Sequence, residues 1–450
     1  MSLAESSITR FLAEHTLNRQ FGEEEFSRLG AFVKLSLIDT TGVAVAARDE
    51  PLVQSLLNSH SANARNEGAA LFGGGPKFDV MTAALINGSM AHALDYDDTL
   101  PWFQGHPSVV LWGAILPLAQ NLGCTGKQAM EAYLVGLEVG CLLSQYMGNE
   151  HYAAGWHGTA TIGRNAATAA CCRLLSLTTE QTVNALGISG TNSAGFKTSF
   201  GTMCKPFHAG SAARGGVEAA LMAQAGFTGS SEVFESKLGM KGLMAGVGSN
   251  SVGLAYLSHH PVEKLVFKYH AACHCTHAPI DIIMASSGTH GFRADDITDI
   301  KVHCSQISMD AAGNPDPKTG LDAKFSIAYA MSSALVKNDT GIANFTDDQV
   351  DDPDVRALMS RVSVDVDETL EGLRTTCAIT LRSGETYTDT QDPNERTVPI
   401  DEQTAKLVDK FTSALKSLMT ADQMQALREA IEGFDCLDNV NGFMAATELQ

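Results

Sequence analysis

Residues 128–147 read QAMEAYLVGLEVGCLLSQYM, and this stretch indicates the fold class of the chain. Its apolar residues recur at spacings of three and four, which is the pattern of a helix that packs against others. Residues 26–47, FSRLGAFVKLSLIDTTGVAVAA, repeat the pattern. Segments of this kind continue from about residue 6 to 260, separated by Gly-rich breaks. Because no strands alternate with these helices, we predict a mainly α fold and not a doubly wound sheet.

The sequence changes character between about residues 265 and 400. Alternating apolar and polar side chains there predict strands, and Ser383-Gly384-Glu385 predicts a hairpin turn. The predicted elements are a strand at 297–304, a buried helix at 325–336, a strand at 361–366 and a hairpin at 376–390.

A helical pattern returns after Pro399, at residues 404–418 and 421–431. We therefore predict a large all-helical domain, with a smaller α+β lid domain inserted near the C-terminal part. The all-helical domain is placed at residues 1–265 plus 398–450, and the lid domain at residues 266–397. The length of 450 residues agrees with two domains, since one hydrophobic core seldom grows that large.

The formal charge of −20 limits the partners that the chain can have. Such a field repels nucleic acid and anionic membranes, so we expect neither as a partner. A small anionic substrate would need a local cluster of cations. The first residues lack the basic start and apolar core of a secretory signal, and the apolar run at 109–118 is too short to span a bilayer. We expect a cytoplasmic protein with reduced cysteines.

The most unusual segment reads HALDYDDT at residues 92–99 and continues to His106-Pro107-Ser108. It is interpreted either as a solvated loop before a helix or as the lining of a cleft. In the second case a histidine acts as general acid or base and an aspartate orients it. A metal site is disfavoured, because the histidines and carboxylates lack ligand spacing.

Two further segments combine cations with predicted helix starts. His157 lies between Gly155-Trp156 and Gly158, where glycines would let a ligand approach and a helix N-terminus would favour an anion. Lys205 and His208 precede a helix predicted at residues 211–225 and would form a cationic corner. The alternatives are a packing histidine and a surface lysine.

The fourth segment, KYHAACHCTH at residues 268–277, resembles a soft-metal site at first sight. Adjacent residues cannot easily share one tetrahedral ion, and no distant cysteine pair complements them. We favour one catalytic or substrate-binding histidine, His277, at the start of a helix predicted at 278–286. The sequence also lacks the motifs of nicotinamide, ATP, serine-hydrolase and iron–sulfur chemistry.

Together, these four segments resemble the MmgE/PrpD family, which contains 2-methylcitrate dehydratases, cis-aconitate decarboxylases and iminodisuccinate epimerase. The resemblance covers roughly residues 30–390. It implies a homodimer with an inserted lid, a cleft without metal between the domains, and no cofactor. The implied catalytic residues are Asp95, His106, His157, Lys205 and His277. The implied substrate-binding residues are Thr99, His208 and Lys268.

One departure concerns a tyrosine that the decarboxylases of this family carry shortly before the predicted helix at 325. This chain reads NPDPKTG at residues 314–320, without tyrosine, which weakens the specific expectation of a cis-aconitate decarboxylase.

The resemblance predicts a lyase that transfers a proton at a carbon next to a carboxylate of a citrate-like acid, by dehydration or decarboxylation. His106 or His157 would exchange the proton, with Asp95 setting the tautomer. His277 would hold a second carboxylate or protonate a leaving hydroxyl. The alternatives are an epimerase of a dicarboxylate such as iminodisuccinate, and a relative that binds carboxylates without catalysis.

Overall fold

The computed structural model describes residues 7–245, 260–394 and 398–449. The first part of the chain is helical, as predicted, and the apolar segment at 128–147 lies in one long buried helix. Its helices are α1 (Ile8–Asn18), α2 (Glu23–Ala46), α3 (Pro51–Ser59), α4 (Val80–His92), α5 (Pro107–Leu122), α6 (Gly126–Met147), α7 (Asn149–Ala153), α8 (Gly158–Leu174), α9 (Thr179–Thr191), α10 (Cys204–Gln224) and α11 (Met240–Met244).

The next part mixes helices with one four-stranded sheet, in the order β2-β1-β3-β4. Its elements are α12 (His277–His290), β1 (Ile297–Cys304), α13 (Gln306–Ala312), α14 (Gly320–Ala323), α15 (Ile327–Lys337), α16 (Pro353–Met359), β2 (Val362–Val366), β3 (Thr375–Leu381) and β4 (Thr386–Gln391). β1 pairs parallel with β2 and antiparallel with β3, and β3 and β4 form the predicted hairpin. Gly384 turns this hairpin with a φ of 90°.

The chain ends in three helices, α17 (Ile400–Leu415), α18 (Ala421–Glu432) and α19 (Asn441–Ala446). α17 and α18 pack against α2, so the C-terminal segment joins the helical body near the N-terminus. A second, smaller hydrophobic core is formed by side chains between residues 273 and 381, around the sheet. The mainly α class with a small sheet is confirmed. The boundaries at 265 and 398, and the role of the second unit as a lid, stay predictions.

α2 is long and apolar enough to cross a membrane by length and composition. Its most apolar window is 78% buried within the protein, however, and the helix packs against α4, α5 and α17. A core helix of this kind passes the same test of length and composition, so this feature alone is weak evidence for a membrane.

Glycines let α4, α5 and α10 cross at very short distance. A Cβ atom added to Gly88 of α4 would lie 2.9 Å from the Cα of Gly210 of α10, and one on Gly113 of α5 would lie 2.8 Å from the Cα of Gly88. Side chains at these positions would push the helices apart. Because His92, His106 and Lys205 stand at the ends of the same three helices, this close packing brings them together.

A methyl group at this crossing should destabilise the protein. We expect Gly88→Ala to lower the free energy of unfolding by about 1–3 kcal/mol, because the backbones must separate to admit the side chain. Urea denaturation followed by circular dichroism measures this change. The matched control is Gly288→Ala in α12, where nothing lies within 4 Å of the added atom. That substitution should stabilise the helix by about 0.5–1 kcal/mol, and an equal effect of both would contradict this account.

Candidate active site

The segment from His92 to His106 is a buried loop that joins α4 to α5. His92 is the last residue of α4, and His106 precedes Pro107, the first residue of α5. Asp95 and Asp97, between them, are 3% and 0% exposed. The interpretation of this segment as a solvated loop is therefore wrong. Its carboxylates are inside the protein and need partners there.

Asp97 joins two histidines. Its Oδ1 lies 2.8 Å from Nδ1 of His92, and its Oδ2 lies 2.9 Å from Nδ1 of His106. Since an ionised carboxylate only accepts hydrogen bonds, both rings donate from Nδ1. Burial lowers the pKa of His106 to about 3, although Asp97 acts in the opposite direction. His106 is thus a neutral imidazole with an Nε2 that can accept a proton.

The charge on Asp97 survives its burial. Desolvation alone would raise the pKa of this carboxyl, but the rings of His92 and His106 hold it well below its usual value. A permanent negative charge at this point keeps the proton of His106 on Nδ1. The geometry thus gives Asp97 the role of the orienting carboxylate.

Asp95 has a different partner from the one predicted. Its Oδ1 lies 3.9 Å from Nε2 of His106, too far for a hydrogen bond, and accepts instead from Nζ of Lys205 at 2.6 Å and of Lys268 at 2.9 Å. Burial would raise the pKa of Asp95, but the two lysines hold it well below its usual value. The prediction that Asp95 sets the tautomer is wrong, since Asp97 does so. The two ammonium groups that face this carboxylate form a local cluster of cations of the kind that an anionic substrate would need.

Lys205 and His208 lie inside α10 and not before it. The helix begins at Cys204, seven residues before the predicted start at Ser211. Pro206 is tolerated because it occupies the first turn, where a backbone N–H has no partner within the helix. Both side chains therefore project from a rigid element that packs against α4.

His157 is the residue before α8, at the helix start predicted for it. Its Nδ1 lies 3.1 Å from Nδ1 of His208, and its ring centroid is 6.5 Å from that of His106. Burial lowers the pKa of His157 well below its usual value, and Lys205 acts in the same direction. In this hydrogen bond one Nδ1 atom donates and the other accepts. The shared proton can therefore be held on the ring of either His157 or His208.

The glycine after His157 serves chain packing and not ligand approach, which corrects the prediction for it. A Cβ atom on Gly158 would lie 2.2 Å from the carbonyl oxygen of Gln104. The hydroxyl of the next residue, Thr159, accepts a hydrogen bond of 3.0 Å from the backbone N–H of His106. The two loops that carry His106 and His157 are thereby fixed to each other.

A second group of histidines lies beside Thr99. The hydroxyl of Thr99 is 2.9 Å from Nδ1 of His274, and the ring centroids of His274 and His277 are 4.9 Å apart. Burial lowers the pKa of His274 to about 3 and that of His277 well below its usual value. Within the described ranges, Nε2 of each ring is buried without a hydrogen-bond partner. His277 thus joins the site through His274 and Thr99.

Both histidine groups are buried, and the second lies beside a cavity. This cavity is open to solvent and is lined in part by His270, His274 and His277. In the first group, His106 and His157 are 8% and 2% exposed. The rings of Phe200 and Phe325 lie 5.4 and 5.1 Å from Nζ of Lys205 and cover this side. Such an enclosed setting strengthens electrostatic interactions.

The first group also has the residue types of a metal centre. Four buried residues of the described chain offer one ligand atom each, all within 4.8 Å of one another: His92, Asp95, Asp97 and His106. Nζ of Lys205 and of Lys268, however, already bind Asp95 and would repel a divalent cation. These residues therefore fit a network for holding and moving protons better than a metal centre.

The structure brings six of the eight predicted residues close together, with Lys205 and Lys268 bonded to Asp95, His208 bonded to His157, and His106 between Asp95 and His157. It places Thr99 and His277 in the adjoining group. Sequence reasoning missed His92, Asp97 and His274 as functional residues. All three stand inside the segments that were singled out, so the signal was their position in a short stretch rich in titratable groups.

The sequence of the chain is similar to those of known proteins. Residues 16–295 match the MmgE/PrpD N-terminal domain, and residues 270–435 match the MmgE/PrpD C-terminal domain. The chain is 24% identical to the cis-aconitate decarboxylase of Mus musculus, over 90% of this chain and 86% of the relative. It is 26% identical to that of Homo sapiens, over 79% and 77%, and 26% identical to that of Aspergillus terreus, over 65% of each. The match to the MmgE/PrpD N-terminal domain alone covers more than half of the sequence. The chain therefore belongs to the MmgE/PrpD family.

Proposed function

We propose that this protein is a lyase that transfers a proton at a carbon next to a carboxylate of a citrate-like di- or tricarboxylic acid, without a metal ion. The observation that carries the proposal is the neutral His106, which Asp97 orients and which lies 3.9 Å from the lysine-bound Asp95. The similarity to cis-aconitate decarboxylases supports the substrate class.

His106 or His157 exchanges the proton. Both are neutral because burial lowers their pKa values. An acid that binds with its carboxylates beside them adds negative charge, which favours the protonated rings. Substrate binding and proton uptake are therefore coupled, and the base becomes stronger when the substrate is in place.

The lysines stabilise the charge that develops on the substrate. Removing a proton next to a carboxylate produces a doubly charged aci-carboxylate, and this requires fixed cations and donors in an enclosed site. Lys205 and Lys268 supply two ammonium groups, and Thr99 supplies a hydroxyl. His277 holds a second carboxylate or protonates a leaving hydroxyl from the other side.

Loss of CO₂ leaves a carbanion, and elimination of a hydroxyl can pass through one. The same groups can stabilise or protonate either carbanion. The names of the relatives favour decarboxylation. Residues 314–320 contain no tyrosine, which favours a substrate or outcome that differs from that of the decarboxylases. The second histidine group supports epimerisation as the second candidate, because a proton can be removed by one group and returned by the other.

Proton NMR in D₂O with purified protein distinguishes these outcomes. We expect that one acid from a panel of citrates, aconitates and iminodisuccinate incorporates deuterium next to a carboxylate and loses CO₂ or water. Incorporation without either loss indicates an epimerase. Absence of exchange on every acid, with binding retained, would show that the chain only binds carboxylates.

Removal of either central histidine should abolish most of the turnover. His106→Ala and His157→Ala should each lower kcat by roughly 10² or more, the scale of one general acid–base group. The matched control is His290→Ala, because His290 is exposed at the end of α12 and stacks on Tyr387. Steady-state kinetics measure the three variants. Near-parental kcat in both central variants would mean that other groups move the proton.

Neutralising Asp97 should impair catalysis through the tautomer of His106. An asparagine amide can donate to Nδ1, which moves the ring proton to Nε2 and removes the base. We expect Asp97→Asn to lower kcat by about 10²–10⁴ with little change in KM. Asp98→Asn is the control, because burial raises the pKa of Asp98 well above its usual value and thus disfavours a charge on its carboxyl. Similar losses in both variants would argue against the role of Asp97.

A further inference from the structure

The backbone carbonyls of three successive residues in the loop between α4 and α5 each accept a hydrogen bond from a buried lysine ammonium group. The pairs are Leu94 with Lys324 at 2.6 Å, Asp95 with Lys268 at 2.7 Å, and Tyr96 with Lys410. We name Lys324, Lys268 and Lys410 the lysine clamp. Their exposed fractions are 4%, 1% and 7%, so none is an ordinary surface lysine.

The three lysines come from distant parts of the chain. Lys268 precedes α12, Lys324 lies just before α15, and Lys410 belongs to α17 in the C-terminal segment. Lys410 also binds Oδ1 of Asp39 at 2.6 Å and the carbonyl of Lys268 at 2.9 Å. The clamp therefore ties the loop to the segment with the sheet and to the C-terminal helices.

The loop needs such support because Asp95 has an unfavourable backbone. Its φ of 51° lies in the left-handed region, which most residues with a side chain avoid and which aspartate adopts at a smaller cost. This turn directs the carboxylate of Asp95 to Lys205 while that of Asp97, two residues later, meets His92 and His106. Relaxation of the turn would disturb both contacts.

Lys324 differs from the other two clamp residues in having no carboxylate partner. In the part of the chain that the structure describes, no carboxylate oxygen lies within ion-pair distance of its Nζ, and the bond to the carbonyl of Leu94 is its one recorded hydrogen bond from the side chain. A buried ammonium group of this kind is retained at a cost in desolvation. The buried position of Lys324 is explained if the loop between α4 and α5 requires its ammonium group as a hydrogen-bond donor to Leu94.

We propose that Lys324 and Lys410 are positioning residues, which act on the reaction through the backbone of residues 94–96. The expected change in kcat rests on the proposed function, whereas the expected change in the turn at Asp95 does not. Neither lysine needs to touch the substrate. Each holds the turn at Asp95, and with it the distance between that carboxylate and Lys205.

Two variants test this inference without leaving a buried charge alone. Lys324→Met removes one clamp donor. Lys410→Met is combined with Asp39→Asn, because Asp39 is 3% exposed and would otherwise lose its counterion. We expect each variant to lower kcat roughly tenfold or more through misplacement of the reacting groups, with KM within about threefold of the parent. Lys324→Arg, which keeps a charged donor, should recover part of the loss.

Exposed lysines next to the same elements are the matched controls. Lys318→Met and Lys416→Met should leave kcat and KM unchanged, since both side chains lie at the surface. Thermal unfolding of all variants shows whether a loss of kcat accompanies a loss of folding.

Crystal structures of the two clamp variants give the readout that does not depend on activity. We expect Asp95 to leave the left-handed region, or its Oδ1 to move beyond hydrogen-bond distance from Nζ of Lys205. An unchanged turn and an unchanged contact in both variants overturn the inference, whatever kcat does. A parent protein that converts no tested acid counts against the proposed function, and the crystal structures then decide the inference alone.

Discussion

Two carboxylates inside the protein constrain the rest of this structure. Asp95 and Asp97 are buried in one short loop, and a buried charge without partners would cost far more than a folded protein can tolerate. Asp97 is satisfied by two histidines and Asp95 by two lysines. These partners come from α4, the start of α5, α10 and the segment before α12. The requirement to pair two charges therefore brings distant elements to one point.

The same constraint reconciles an acidic protein with an anionic substrate. The chain carries a formal charge of −20, so its overall field does not attract carboxylates. Close to Asp95, however, Lys205 and Lys268 offset the charges of Asp95 and Asp97, and Lys324 adds a further cation nearby. In an enclosed site these groups act at short range and are little screened by salt. Recognition of an acid would therefore depend on the lysines within a few ångströms of it and not on the overall charge of the protein.

Sequence periodicity predicted the elements well, because helices and strands depend on neighbouring residues. The strand at 297–304 has the predicted bounds, and the helix predicted at 128–147 ends at Met147 and begins two residues earlier than predicted. The start of α10 was misplaced, since Lys205 and His208 were taken to precede the helix, whereas its first turn includes Lys205 and accepts Pro206. The inserted lid and its boundaries depend on how the two cores separate, which local patterns do not encode.

The site was predicted as a set of segments but not as a set of contacts. Clusters of His, Asp and Lys mark the segments, and the structure brings them together. The choice of Asp97 over Asp95 as the partner of His106 depends on the left-handed turn at Asp95, which no periodicity reveals. Lys324 and Lys410 lie outside the clusters of His, Asp and Lys that mark these segments. Their burial follows from tertiary packing between segments far apart in sequence.

The central claim is that Asp97 holds His106 as a neutral ring with its proton on Nδ1. Nitrogen-15 NMR of histidine-labelled protein measures this state directly, with His106→Gln used to assign the resonance. Because burial lowers the pKa of His106 to about 3, the ring should stay neutral with a protonated Nδ1 from about pH 8 down to pH 5, below the ordinary histidine value. A ring that takes up its second proton near pH 6.5, or one that carries its single proton on Nε2, would contradict the account.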